Sequence, residues 1–245
     1  MIRLENFSIG YGRKELIQPQ SLNIPSGQLT ALIGRNGTGK STMLRALAGL
    51  NNAYSGDIYL GDSYFKEKIE SKSMTSIERA RTIAFVNTQR TRISNMTCME
   101  LVGMGRAPYT DWIGNLSARD NQIVIESLDK IGMSDYASRT IDTLSDGECQ
   151  RVMIARALAQ DTPIIILDEP TSFLDLPSRY SLVDLLHRLA KESGKCILFS
   201  THELDIALRK TDNILLLSDH KLSILPSGIS DTAKLVEKCF GLNYL

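Results

Sequence analysis

The chain has 245 residues, with 28 Lys and Arg against 28 Asp and Glu, 3 His and 4 Cys. This length can bury a substantial core without staples, and the balanced charge, with no basic cluster, sets nucleic acid aside as a partner. Cys98, Cys149, Cys196 and Cys239 stand singly with no Cys-x-x-Cys pair, so neither a zinc site nor a disulfide framework is expected, and a reducing compartment is.

In chain order, MIRLENFSIGYG alternates apolar and polar residues as a half-buried strand does and lacks the basic start and apolar block of a signal peptide. The first thirty residues read as short antiparallel strands broken at Gly10 to Arg13 and Pro25 to Gly27. QLTALIG is a strand running into a glycine-rich loop, and STMLRALAGL continues as a helix. Strands follow at Ser55 to Leu60 and Thr82 to Val86. From about residue 90 to 145 the texture is helical, with Gly and Pro breaks, and reads as an inserted subdomain. Next come a helix from Gly147 to Gln160, the strand PIIILDE, a helix through Leu182 to Ala190, the strand CILFS and a helix opening at His202 or Glu203. NILLLSDHKLSIL reads as two β runs with a turn near Asp219, and one short helical segment follows Ser230. Alternating strands and helices predict an α/β fold with a mostly parallel central sheet, an antiparallel N-terminal region and the helical insert, in a single domain spanning 1–245. No apolar run approaches the roughly 20 residues needed to cross a bilayer, so membrane association has to pass through a partner.

The chemistry concentrates in a few places. Gly34 to Ser41, GRNGTGKS, fits the phosphate-loop pattern G-x-x-x-x-G-K-[ST]. The amides of Gly34, Asn36, Gly37, Thr38 and Gly39 form an anion nest at a helix start, with Thr42 beside it. Lys40 reaches the β- and γ-phosphates and the Ser41 hydroxyl ligates Mg²⁺. IIILDE supplies the matching acids: Asp168 holds the metal through its water shell, and Glu169 aligns and polarises the attacking water. His202 follows CILFS and Gln89 follows TIAFV, so both fall at the carboxyl edge of the sheet, where open α/β folds bind ligands. Tyr11, between two glycines, reads either as a plain turn aromatic or as a ring that stacks on adenine. Ser145 and Glu148 in TLSDGECQR form a capping box at a helix start.

The phosphate loop, IIILDE, FLD at Phe173 to Asp175, the histidine after the next strand and LSDGE before a helix together resemble the ATP-binding subunit of ABC transporters, from Tyr11 to about Leu217. The resemblance implies a homodimer with two ATP sandwiched at its interface. Ser145 and Gly147 then face the γ-phosphate held by the second copy, and Asp175 lies across the interface. His202 contacts the γ-phosphate, and Gln89 serves the metal and links the insert to the phosphate. Asp146 departs from the family's usual glycine. A carboxylate about 8 Å from a phosphate charge costs about 2 kcal/mol at an effective dielectric near 20, so Asp146 is expected to point into solvent.

LVGMGRAPYTDW is similar to the G-R-x-P-Y segment of ATPases serving iron–siderophore, haem and vitamin B12 importers. That resemblance implies two permease subunits, one helix of which the insert receives, a substrate-binding protein acting indirectly, and a peripheral place on the cytoplasmic face of the membrane. An ABC subunit for another cargo and a soluble non-transport ABC ATPase stay open. A GTPase does not, since the sequence has no Asn-Lys pair for a guanine reader.

Overall fold

The computed structural model describes residues 1–11, 14–52, 54–61, 69–87, 94–228, 232, 234, 236 and 240. In chain order the elements begin with β1 (Ile2–Tyr11), β2 (Lys14–Ile24), β3 (Gln28–Gly34), α1 (Lys40–Leu47), β4 (Tyr54–Leu60), β5 (Ile69–Glu70), α2 (Ser76–Thr82) and β6 (Ile83–Val86). The insert carries α3 (Cys98–Gly103) and α4 (Ala118–Lys130). After it come α5 (Asp146–Ala159), β7 (Ile164–Leu167), α6 (Leu176–Ser193), β8 (Cys196–Ser200), α7 (Leu204–Lys210), β9 (Asn213–Ser218) and β10 (Lys221–Pro226).

Among the described residues these strands form two sheets. One is antiparallel, in the order β2-β1-β4-β5. The other has the order β10-β9-β3-β8-β7-β6, in which β9 to β6 are parallel and β10 pairs antiparallel at the edge. Parallel strands are buried on both faces, which is why IIIL and CILF read as unbroken apolar runs. Their alternation still divides the core. Leu29, Ala31 and Ile33 of β3 pack with α5, α6 and the insert, while Leu32, Ile164, Ile166 and Leu198 pack with α1 and the antiparallel sheet.

Register sets the functional edge. Leu32 pairs with Ser200 and Leu167 with Phe199, so the residues that leave β3, β7 and β8 emerge side by side. The Asp168 N–H donates to the Val86 carbonyl at 2.8 Å, and the Thr201 N–H to Leu32 at 3.1 Å, carrying the alignment one residue past the strands.

Several expectations are corrected. β1 and β2 are longer than the short strands expected, at 10 and 11 residues: β1 continues through Gly10 to Tyr11, which pairs with Lys14, and bulges absorb the irregularities within it, while the expected break at Pro25 to Gly27 does separate β2 from β3. α6 begins six residues before Leu182: Asp175 caps it by accepting from the Ser178 N–H at 3.1 Å, and Pro177 is tolerated in the first turn. α7 begins at Leu204, behind an extended Glu203. α2 was not expected, although Thr75 and Glu78 form a capping box at its start. In the insert, where Gly and Pro breaks were expected, a 3₁₀ turn from Met104 to Tyr109 runs on through Pro108. Asp219 and His220 form the expected turn between β9 and β10. Parts of the tail after Ser230, and Cys239, lie outside the described residues. Among the described residues no helix is long and apolar enough to cross a membrane.

Candidate nucleotide site

The phosphate loop is fixed by its glycines. A side chain at Gly34 would meet the Leu217 carbonyl at 2.7 Å, so the end of β3 sits hard against β9. Gly37 and Gly39 have φ of +78° and +108°, conformations that cost glycine nothing and other residues a good deal. The chain then enters α1 with its first amides facing the loop. Lys40, the first residue of α1, is buried, and its Nζ donates to the carbonyls of Gly34 at 2.8 Å and Arg35 at 3.2 Å. Burial holds its pKa below the ordinary lysine value, and the carboxylates of Glu169 and Asp168 pull it back up.

Two hydroxyls from distant parts of the chain meet on one atom. Ser41 Oγ donates to Asp168 Oδ1 at 3.0 Å and Ser200 Oγ donates to the same oxygen at 2.7 Å. Ser200 Oγ also accepts the Glu169 N–H at 2.8 Å, so one side chain of β8 fixes both acids after β7. Glu169 has φ +46°, a left-handed conformation that costs a non-glycine residue about 1–3 kcal/mol and collects at functional sites. Its Oε2 accepts from Ser172 Oγ at 3.0 Å, and its Oε1 lies 4.0 Å from His202 Nδ1, too far for a hydrogen bond.

A cleft of about 510 Å³ opens over this arrangement, lined by Leu16, Asn36, Gly37, Gly39, Lys40, Ser41, Thr42 and Glu169. Six phosphate-loop and helix-start positions singled out in the sequence therefore share a wall with Glu169. Gly34 lies beneath, as an acceptor for Lys40, and the Thr38 hydroxyl turns to the Arg35 carbonyl at 2.8 Å. Asp168 lies below the cleft, 3% exposed, reached through Ser41. Tyr11 ends β1, but its side chain, like all of Gln89, lies outside the described residues. Leu16 and Ser200 were missed. Ser200 had a signal, as a small polar residue ending an otherwise apolar buried strand; Leu16 had none.

Ser41 and Asp168 offer hard oxygen donors, and among the described residues no cluster of three or more His, Cys, Asp or Glu could hold a metal. Two protein oxygens suit Mg²⁺, which keeps several waters and takes phosphate oxygens rather than an all-protein cage.

The remaining predicted residues lie at the starts of α5 and α6. Ser145 caps α5 with the expected reciprocal pattern: its Oγ accepts the Glu148 N–H at 3.3 Å, while Glu148 Oε2 accepts from both the Ser145 N–H and its hydroxyl at 2.8 Å. These bonds, backbone first, hold the Glu148 carboxyl below its ordinary pKa, and the Tyr136 hydroxyl adds to them. Asp146 is half-buried as the first residue of α5. An acid there favours the positive end of the helix. A Cβ on Gly147 would lie 3.6 Å from Leu174, which brings the start of α5 against the residue preceding Asp175.

A phosphate loop after β3, acids after β7 with only β8 between the two strands, and a capped glycine loop opening α5 define a nucleotide-hydrolysing cassette. A model of the ABC transporter family matches residues 17–172, and the chain belongs to that family as an ATP-binding, ATP-hydrolysing subunit. It is 38% identical to the iron(3+)-hydroxamate import ATP-binding protein FhuC of Bacillus subtilis, over 84% of this chain and 74% of the relative. Its identity to the ferric enterobactin transport ATP-binding protein FepC of Escherichia coli is 34%, over 98% and 87%. An inward-facing metal-chelate type ABC transporter superposes with a TM-score of 0.80 at 26% identity, covering 98% of this chain and 88% of that one. A dimeric ATP-binding cassette with ADP and Pi bound superposes at 0.75 and 28% identity, covering 92% and 98%.

Proposed function

We propose that this chain hydrolyses ATP between two copies of itself to drive import of a metal chelate of the iron–siderophore, haem or cobalamin class through two permease subunits. It does so as one cassette with a helical insert, held at the cytoplasmic face of the membrane by the permease, with a substrate-binding protein delivering the cargo. The carrying observation is the meeting of Ser41 and Ser200 on one oxygen of Asp168, beneath the phosphate loop and beside Glu169. The chelate class rests on relatives that bear iron-chelate import names.

In this reading the loop amides and Lys40 hold the β- and γ-phosphates, and Leu16, with Tyr11, borders the nucleoside. Ser41 and Asp168, with Gln89, hold Mg²⁺, which when bound neutralises charge on the phosphate oxygens. Glu169 orients a water and takes its proton as the water oxygen attacks the γ-phosphorus; the bond to the bridging oxygen breaks and ADP and phosphate leave. His202 contacts the γ-phosphate. Ser145 and Gly147 reach the nucleotide of the partner copy, and Asp175 lies across the interface. Co-purification with the permease, followed by ATP-dependent uptake of a siderophore, haem and cobalamin measured side by side, tests the whole reading. Uptake of one of the three, abolished by Lys40→Ala, is expected; ATPase activity with no permease bound and no uptake overturns it.

A further inference from the structure

The cleft wall at Leu16 belongs to the antiparallel sheet, while the loop it faces belongs to the parallel one, so something has to fix the two sheets against each other at this point. Leu16 lies so close to the loop that a Cβ on Gly39 would approach its Cβ and Cδ1 to 3.3 Å. Its backbone is gripped from the β9–β10 turn. The His220 carbonyl accepts the Gln18 N–H at 2.8 Å, and His220 Nδ1 lies 3.2 Å from the Leu16 carbonyl. A carbonyl only accepts, so Nδ1 is the nitrogen that carries the proton. Just beyond, the Leu222 N–H donates to Gln20 Oε1 at 2.8 Å.

The turn itself does not favour this residue. Ser218 pairs with Lys221, leaving a two-residue loop with φ +49° at Asp219 and +62° at His220, the geometry in which the second position favours glycine. Histidine tolerates the left-handed region better than most residues, yet glycine enters it with no steric cost. An imidazole placed there against local preference, with one ring nitrogen on the strand that walls the cleft, points to a use beyond the turn.

We propose that His220 is a positioning residue for nucleotide binding: it holds β2 at residues 16 to 18 so that Leu16 lies against Gly39 and borders the bound nucleoside. This rests on the cleft being the ATP site. It predicts opposite signs for stability and binding. His220→Gly relieves the backbone and loses the ring contact, so its melting temperature stays level or rises while its Kd for ADP rises about three- to tenfold, the worth of one hydrogen bond. His220→Asn, which tolerates the same φ and keeps a donor, falls between glycine and wild type.

The test is ADP binding by calorimetry to the full chain carrying His220→Gly, His220→Asn, Leu16→Ala, Lys40→Ala, or His220→Gly with Leu16→Ala. Because His220 acts through Leu16, the double variant is expected to bind no more weakly than Leu16→Ala alone. An unchanged Kd in His220→Gly, or losses that add in the double variant, overturns the proposal while a binding loss in Lys40→Ala keeps the site reading intact. A fall in melting temperature in His220→Gly, matching its loss of binding, also overturns it by assigning the residue to the turn. Normal ADP binding by Lys40→Ala removes the site reading and the proposal with it.

Discussion

The Ser145 hydroxyl donates to Glu148 Oε2 at 2.8 Å, three residues along in the same helix turn. A hydroxyl has one proton, so Ser145 cannot donate to a partner's phosphate while it donates to Glu148. On the proposed function, in which Ser145 reaches the nucleotide of the second copy, forming that site means exchanging one acceptor for the other. The carboxylate is the stronger acceptor of the two side chains that a capping box admits at this position, since charged hydrogen bonds are about twice as strong as neutral ones. Glu148→Gln is expected to keep the helix cap, release the serine more readily and tighten ATP-induced dimerisation severalfold, as read by sedimentation of the variant in ATP.

The same pair sets a pH dependence. The Glu148 carboxyl is held below its ordinary pKa in the folded chain, so its stabilising contribution is complete above the unfolded value of about 4.3 and is lost as pH falls through the lower folded value. Glutamine has no such titration. The melting temperature of wild type should exceed that of Glu148→Gln at neutral pH, and the gap should close below about pH 4.

Glu169 and Ser200 divide their roles differently. Glu169→Gln keeps the shape of the side chain and its bond from Ser172 but removes the proton acceptor, so ATP-induced dimerisation should persist while turnover falls by about 10²–10⁴. Normal turnover in that variant would remove Glu169 from the chemistry.

Ser200→Ala leaves the Glu169 N–H without the hydroxyl it meets and takes one donor from Asp168. An unpaired buried group costs about 1–3 kcal/mol, and a displaced acid loses rate. The expected outcome is a lower melting temperature together with a kcat reduced about tenfold, the ADP affinity changing less than twofold. A fall in stability with kcat unchanged would leave Ser200 a packing residue.

What was legible in the sequence was local. GRNGTGKS and the acids after IIIL are contiguous, and their meeting follows from one rule about strand ends. The Ser145 box is likewise contained in four residues. Leu16 and His220 are not visible that way: 204 positions separate them, and their contact depends on how two sheets lean together, which no periodicity encodes. α2 was missed for a lesser reason, because Thr75 and Glu78 carry the same cap signature that marked α5. The length of α6 was underestimated because its exposed first turns lack an apolar stripe, although Asp175 marks where it starts.

The G-R-x-P-Y segment serves as an internal clamp. Arg106 and Asp120 are both buried and bonded at 2.8 Å, Arg106 Nη1 donates to the Ala159 carbonyl at 2.8 Å at the end of α5, and the guanidinium lies 4.0 Å from the Tyr109 ring centre. Arg81 of α2 reaches the same ring at 4.9 Å and donates to the Pro108 carbonyl at 2.8 Å. Gly105 cannot be enlarged, since a Cβ would fall 2.3 Å from the Arg156 carbonyl. Removing one member of a buried ion pair leaves the other charge stranded, so Arg106→Ala should cost about 3–5 kcal/mol in urea unfolding. Replacing both members, Arg106→Met with Asp120→Leu, should recover most of that loss, because a well-packed apolar pair removes the desolvation penalty. If the double variant is as unstable as the single one, the contacts to Ala159 and Tyr109, and not the ion pair, fasten the insert to α5.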